Sequence, residues 1–230
     1  QHLAVIYDSG TSNTLAIMDI CLTQIKAKIN FGEFMRIGSR IMWPRDDRFI
    51  LSYSKFVGYL DTRGSPAIYV AYDLDGKNGR QLTVPQRTRY NIISMMPAEP
   101  DKIVVTKQHW ADEGAAKLFT INIDNGKESY IGGEPRGAQA IIADSDGIPR
   151  FAFSYEESDD DDFGKGKNTF YVKQTPSSKW RKAEMPTLYK QGGNISPLGF
   201  NADNTIAYVS SDIESKVPSI YAVELATLKA

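Results

Sequence analysis

The chain is short of most of what catalysis usually needs. It holds one cysteine and two histidines in 230 residues. A lone Cys21 excludes an internal disulfide, so cysteine usage does not fix a compartment. The residue type predicts a small buried apolar side chain at Cys21 rather than a nucleophile. A catalytic thiol would need a histidine partner, and only His2 and His109 exist. No sign of charge dominates either. Lys and Arg number 27 against 28 Asp and Glu, a formal net charge of −1. Without a dense Lys/Arg block no phosphate-backbone term can dominate, so nucleic acid is not an expected partner. No apolar run approaches the ~20 residues that span a bilayer, so no membrane partner is expected. Sustained helical periodicity is lacking too. The chain opens on Gln1, not Met, and shows no signal-peptide pattern, which reads as processing or excision. Charged residues are 24% and hydrophobic residues 41%, the composition of an ordinary soluble domain with a sizeable core.

What the chain does have is short β-like runs divided by turn chemistry. Residues 41–84 set the pattern. Ile41-Met42-Trp43-Pro44 is followed by the turn Arg45-Asp46-Asp47, and then by Arg48-Phe49-Ile50-Leu51-Ser52-Tyr53. After a polar insert come Ile68-Tyr69-Val70-Ala71-Tyr72-Asp73-Leu74, the turn Asp75-Gly76-Lys77-Asn78-Gly79, and Arg80-Gln81-Leu82-Thr83-Val84. Side chains alternate along a strand, so Phe49, Leu51 and Tyr53 share one face, as do Ile68, Val70, Tyr72 and Leu74. Asp-Gly and Asn-Gly supply the positive φ that tight hairpins require. The economical reading is one antiparallel four-stranded sheet, which must stack on something to bury its apolar faces.

The sequence supplies copies of that sheet. Positions equivalent to Asp73 are Asp19, Asn122, Lys173 and Glu224, spaced 54, 49, 51 and 51 residues apart. A second anchor, Phe49, Ile103, Phe151 and Ile206, recurs at 54, 48 and 55. Four-stranded repeats of ~40–50 residues are the signature of propeller blades. The expected fold is therefore all-β: a single β-propeller segment over 1–230, with blade units near 1–31, 40–84, 91–131, 138–185 and 195–230. Residues 3–7 resemble the second run of a unit, and 225–230 stop where a fourth run should begin. Both terminal units read as incomplete, as in a piece cut from a longer chain. An open arc of such units would expose its terminal edges and favour self-association.

The link between second and third runs is the most variable, longest at 54–66, 107–116 and 156–168, and variable loops on a rigid scaffold usually carry binding. Asp159-Asp160-Asp161-Asp162 lies in the last of these. Four adjacent Asp residues lack the alternating spacing of an EF-hand, so they read as a solvated loop and no metal is expected. No cofactor motif is present. There is no Gly-x-Ser-x-Gly elbow. Ser9 and Ser196 lack its strand-turn-helix context, and a Ser-His-Asp triad would have to use His109, which reads as a loop or half-buried histidine.

The phrases at 41–52 and 68–76 resemble the β-propeller of prolyl oligopeptidase-family serine peptidases, the group of acylaminoacyl and dipeptidyl peptidases. So do Pro197-Leu198-Gly199-Phe200-Asn201-Ala202-Asp203-Asn204-Thr205-Ile206-Ala207-Tyr208-Val209 and Ile220-Tyr221-Ala222-Val223-Glu224-Leu225-Ala226-Thr227. TolB-like propellers share such phrases, but here their order runs through all five units. The resemblance implies a propeller that sits over an α/β-hydrolase domain and limits access to small peptides. Some dipeptidyl peptidases of that group hold the substrate's amino terminus with a propeller Glu pair. Glu156-Glu157 follows Phe153-Ser154-Tyr155 here, and two carboxylates can bind an ammonium, but the context differs and the pair reads as part of a solvated loop.

The expected function is thus a non-catalytic segment of a prolyl oligopeptidase-like peptidase. It would restrict and position peptide substrates, with a hydrolase domain and peptides as partners and no catalytic, cofactor or metal residue of its own. The alternative is a stand-alone propeller that binds a protein or peptide. A third reading, a glycan-cleaving propeller, needs a pair of inward carboxylates at the right separation. Most Asp residues here sit in turns, where local geometry already explains them.

Overall fold

The structure, a computed structural model, describes residues 1–8, 12–21, 23–32, 34–55, 66–84, 86–111, 116–138, 140–156, 167–183, 195–212 and 217–229. Among them it is all-β, in antiparallel sheets of three to five strands with no helix. The first sheet runs β1 (His2–Asp8), β2 (Asn13–Asp19), β3 (Gln24–Phe31). The second holds β4 (Met35–Ile37), β5 (Met42–Arg45), β6 (Arg48–Lys55), β7 (Ile68–Asp73) and β8 (Arg80–Gln81). The third holds β9 (Thr88–Ser94), β10 (Lys102–His109), β11 (Lys117–Asn122) and β12 (Glu128–Gly133). The fourth holds β13 (Ala140–Ala143), β14 (Pro149–Glu156), β15 (Lys167–Val172) and β16 (Arg181–Ala183). The fifth holds β17 (Ile195–Phe200), β18 (Ile206–Ser211) and β19 (Ser219–Glu224). These are β-propeller blades. The two terminal sheets carry three strands each, against four in the third and fourth.

The second sheet differs from its sequence reading at one edge. β4 and β5 both pair with β6, at Ile37↔Tyr53 and Met42↔Ile50. They are successive lengths of one edge, broken between them. At the break Gly38 donates its N–H to the Ser52 carbonyl, and a Cβ on Gly38 would fall 2.2 Å from Ser52 Oγ. Met35-Arg36-Ile37 is too short to carry a legible alternation, so the sequence expectation does not include it.

The repeat has a backbone basis. Asp73, Asn122 and Glu224 each end a third strand, and each donates its N–H across the following hairpin to a lysine carbonyl. The acceptors are Lys77, Lys127 and Lys229, at 3.1, 3.0 and 2.9 Å. Gly126 takes φ 75° inside this turn, and Leu228 takes φ 57° at the matching place in the last blade. A left-handed leucine is costly, and Leu228 packs against the core there.

Contact density divides the chain into two compact units. The first comprises residues 1–95, 99–111 and 119–130, and the second 96–98, 112–118 and 131–230. Within the first unit β6 feeds two separate cores. Phe49 and Leu51 join Leu15, Ile17, Ala27 and Phe31. Ile50, on the opposite face, joins Met42, Ala71, Ile103, Val105, Ile121 and Ile123. The second unit has its own core around Phe151, Phe170, Val172, Val209 and Val223.

Candidate functional site

In the first unit the charged groups concentrate at the hairpin ends. Arg48 is the first residue of β6 and lies opposite Asp73, the last of β7. Its side chain is 6% exposed and is ion-paired with Asp73. Arg48 Nη2 donates to the carbonyls of Ile123 at 3.2 Å and Asn78 at 3.3 Å. Its Nε lies 3.4 Å from Asp124 Oδ1, an ion pair too poorly aligned to satisfy that N–H, which has no hydrogen bond. Asp73 also accepts from Asn78 Nδ2 at 2.6 Å.

Arg45 completes the network from the end of β5. It donates from Nη1 and Nη2 to the two oxygens of Asp124 at 2.9 and 3.0 Å, and from Nε to Asp47 at 2.9 Å. The bond to Asp124, reinforced by Asp47, raises the Arg45 pKa well above its ordinary value against the pull of burial. Both guanidiniums are thus taken up by carboxylates. Asp46, between them in sequence, is exposed and has no hydrogen bond or ion pair among the described residues.

Beside this network a cleft of about 530 Å³ opens between the first two sheets, lined by Gln1, His2, Ile20, Trp43, Arg45 and Asp46. The rings of His2 and Trp43 lie 6.4 Å apart and 21° from parallel, and Trp43 leans in turn on buried Phe49. Ile20, just past β2, is 51% exposed. The cleft offers aromatic faces, one apolar side chain, the Arg45 guanidinium and the Asp46 carboxylate, which has no partner among the described residues.

A half-buried ion pair stands on the third sheet. Lys107 Nζ donates to Glu128 Oε2 at 2.6 Å and lies 5.4 Å and 5.2 Å from the ring centres of Tyr90 and Phe119. Burial disfavours its charge, but Glu128 and Tyr90 outweigh burial and raise its pKa.

The second unit repeats the buried arginine. Arg150 is 4% exposed, pairs with buried Asp144 at 3.2 Å, and donates to the carbonyls of Lys173 and Gln174. Ser145 donates its N–H to Asn204 Oδ1 at 2.8 Å, and Asn204 Nδ2 donates to Asp146 at 2.8 Å, stapling the hairpin of the fourth sheet to that of the fifth. Glu134 accepts from the Ala116 N–H at 2.8 Å, and burial raises its pKa despite that bond. Burial, with Arg150 nearby, lowers the Lys173 pKa. Trp180, beneath Lys173, donates from Nε1 to the Gly133 carbonyl at 2.9 Å.

The residues singled out from sequence fall apart in space. Cys21 is exposed, contrary to the expectation of a buried apolar side chain. It occupies the hairpin after β2, where its N–H caps Asp19 Oδ1 at 3.0 Å, and a hairpin tip has nothing to bury it. His109 ends β10 and accepts the Ala111 N–H at 3.2 Å through Nδ1, a local turn contact. Ser196 is exposed on β17, opposite Ser210. The backbone of Glu156 closes β14 opposite Lys167. Ser9, Glu157, Asp159 to Asp162 and most of the variable loops lie outside the described residues. No three His, Cys, Asp or Glu residues converge on a metal position among the described residues. Sequence reasoning missed the Arg45–Asp124 clamp and the cleft, since pairs distant along the chain leave no periodic trace.

The sheets define the class, a β-propeller, and solved structures agree. Neither known sequence families nor curated proteins give a match. Among solved structures, an oligogalacturonate lyase from Vibrio parahaemolyticus is similar over 92% of this chain and 54% of its own, with 13% identity and a TM-score of 0.60. Prolyl oligopeptidase B from Galerina marginata, bound to a 25mer macrocyclization substrate, is similar over 98% of this chain and 35% of its own, with 10% identity and a TM-score of 0.57. An acylaminoacyl peptidase in complex with a Z-Gly-Gly-Phe-chloromethyl ketone matches over 96% and 35%, with 12% identity and a TM-score of 0.50. Identities this low show the fold alone. The chain spans about half the length of the lyase and about a third of the peptidases.

Proposed function

We propose that this chain is the non-catalytic propeller portion of a prolyl oligopeptidase-like serine peptidase, restricting and positioning peptide substrates for an α/β-hydrolase domain. One observation carries the reading. Nearly all of this chain matches about a third of a prolyl oligopeptidase and of an acylaminoacyl peptidase. The sequence adds support, since it holds no Gly-x-Ser-x-Gly elbow and no alternating strand-helix pattern to carry one. The charged groups described above hold hairpins together, which suits a scaffold.

The test has two arms. The purified chain should release no product from acyl-amino-acyl or peptidyl reporter substrates. Activity that survives repurification would refute the reading. The gene's reading frame on either side should encode a hydrolase with a nucleophile elbow, and a frame that encodes none would favour a stand-alone binding propeller.

A second reading, a propeller acting on an acidic oligosaccharide, is favoured by the likeness to oligogalacturonate lyase. Incubation with oligogalacturonate would decide it, read by the ultraviolet absorbance of an unsaturated uronate.

A further inference from the structure

The sequence places Asn before Gly twice, at Asn78-Gly79 and Asn125-Gly126. Such a pair can modify itself. The glycine nitrogen attacks the carbonyl carbon of the asparagine side chain, the amide nitrogen leaves as ammonia, and water opens the cyclic imide to aspartate or isoaspartate. Both asparagines are exposed, in hairpins of the first unit, so water reaches both. Their surroundings differ at the reacting atoms. Gly126 donates its N–H to the Asn122 carbonyl at 2.8 Å, and Asn125 Oδ1 accepts the Lys127 N–H at 2.8 Å. Nucleophile and electrophile are both held in that turn. The Gly79 N–H has no acceptor among the described residues. The carbonyl of the same peptide group, Asn78 O, accepts from Arg48 Nη2 at 3.3 Å, and Asn78 Nδ2 donates to Asp73 Oδ2 at 2.6 Å.

We propose that Asn78 is a site of self-modification, at which the Arg48–Asp73 ion pair promotes conversion of the side-chain amide to a carboxylate. The attacking species is the deprotonated Gly79 nitrogen, whose charge is shared with Asn78 O. Arg48 Nη2 on that oxygen stabilises the anion and makes the N–H more acidic. The bond from Gly79 N to Asn78 Cγ forms and the bond from Cγ to Nδ2 breaks. The departing nitrogen takes up the proton that Gly79 gave up. Asp73 Oδ2, already on Nδ2, steadies the positive charge which that nitrogen gains as it leaves. Gly79 packs on Tyr72, whose ring would lie 2.6 Å from a Cβ there, so the position keeps glycine and its unhindered nitrogen. One feature opposes the step: Asn78 must swing Cγ onto Gly79 N from the pose that Asp73 holds. The product changes the network. A carboxylate at position 78 cannot donate to Asp73, and like charges at that separation repel. The modified chain holds Arg48 less firmly, so age loosens this hairpin.

The experiment incubates the full chain at mildly alkaline pH, folded and in concentrated urea, and follows both sites by peptide mapping with mass spectrometry. In the folded chain Asn78 should convert about tenfold faster than Asn125, the scale of freeing the hydrogen bonds that hold both reacting groups of the second pair. In urea the two rates should converge. Asp73→Asn separates promotion from tethering. It loosens the hairpin, so a carboxylate that merely tethers Asn78 would leave conversion faster, whereas loss of a promoting carboxylate slows it. Circular dichroism checks that this variant is folded before its rate is read; if it is not, the folded-chain ratio of the two sites decides alone. Asn78→Asp, the product of direct imide opening, should lower the urea midpoint. Asn125→Asp, which can still accept the Lys127 N–H, should not. Conversion of Asn125 at an equal or higher rate in the folded chain, faster conversion in folded Asp73→Asn, an unchanged midpoint in Asn78→Asp, or no conversion of the folded chain under conditions that convert the unfolded one would each overturn the proposal.

Discussion

Arg45 and Asp124, 79 residues apart in sequence, meet fork to fork, with Nη1 to Oδ2 at 2.9 Å and Nη2 to Oδ1 at 3.0 Å. The pair ties the hairpin after β5 to the hairpin after β11. Its side chains are 26% and 45% exposed, so solvent screens it. Arg45→Lys keeps the charge and loses the fork. The expected cost is about 1 kcal/mol, the upper range for a partly exposed pair, read as a lower urea midpoint.

Asp73→Asn should cost more, about 2–3 kcal/mol, because it leaves the buried Arg48 charge with only the poorly aligned Asp124 carboxylate as ion-pair partner. Arg48 Nε already lacks a hydrogen bond, so little slack remains. The same urea titration ranks the two variants. An Asp73→Asn protein as stable as Arg45→Lys would show that Asp124 alone neutralises Arg48.

Glu134 makes stability depend on pH in a definite sense. Burial raises its folded pKa above the unfolded value, so the folded state binds more protons between the two. Its contribution is therefore lost as pH rises from the ordinary carboxylate range through the raised folded value. Glu134→Gln can still accept the Ala116 N–H, so it should be neutral at acidic pH and stabilising near pH 7. Thermal melts of both proteins across that range check it; a constant difference in melting temperature would refute it.

Two turn glycines should differ in their response to alanine. Gly76 and Gly126 share nearly the same positive φ, 76° and 75°. A Cβ at Gly76 would also press on Ala27 and Ile29 at 3.1 and 3.2 Å, whereas at Gly126 the nearest atom is 3.4 Å away. Both changes should destabilise by about 1 kcal/mol from backbone strain, and Gly76→Ala by more. Denaturant midpoints in the order wild type, Gly126→Ala, Gly76→Ala are the expected outcome.

In the second unit Phe151 and Phe170 are each 1% exposed, with ring centres 5.8 Å apart. Phe151→Ala should cost about 3–5 kcal/mol as a cavity-forming change. Phe151→Leu, which keeps most of the volume, should cost far less. Chemical denaturation followed by far-ultraviolet circular dichroism measures both.

The blades were legible because turn chemistry is local and repeats. Asp73, Asn122 and Glu224 are found from sequence alone because each must close the same hairpin onto a lysine carbonyl. The alternation of Phe49 and Leu51 against Ile50 likewise predicts two faces, and two cores use them. β4 was not legible, because three residues carry no period and their pairing depends on Gly38 meeting Ser52. Residue type alone points Cys21 to a core, whereas its place at a hairpin tip leaves it exposed. Trp43, Asp46 and His2 give no sign in sequence that they share a cleft. Only the pairing of β1 with β2 and of β5 with β6 carries them to it.

β6 contributes consecutive, fully buried side chains to two cores, so it cannot be released without wetting both. Its peptide hydrogens should therefore be the last of the first unit to trade with heavy water. A partly opened form that keeps either core must keep this strand, which makes it the keel around which the neighbouring sheets come and go.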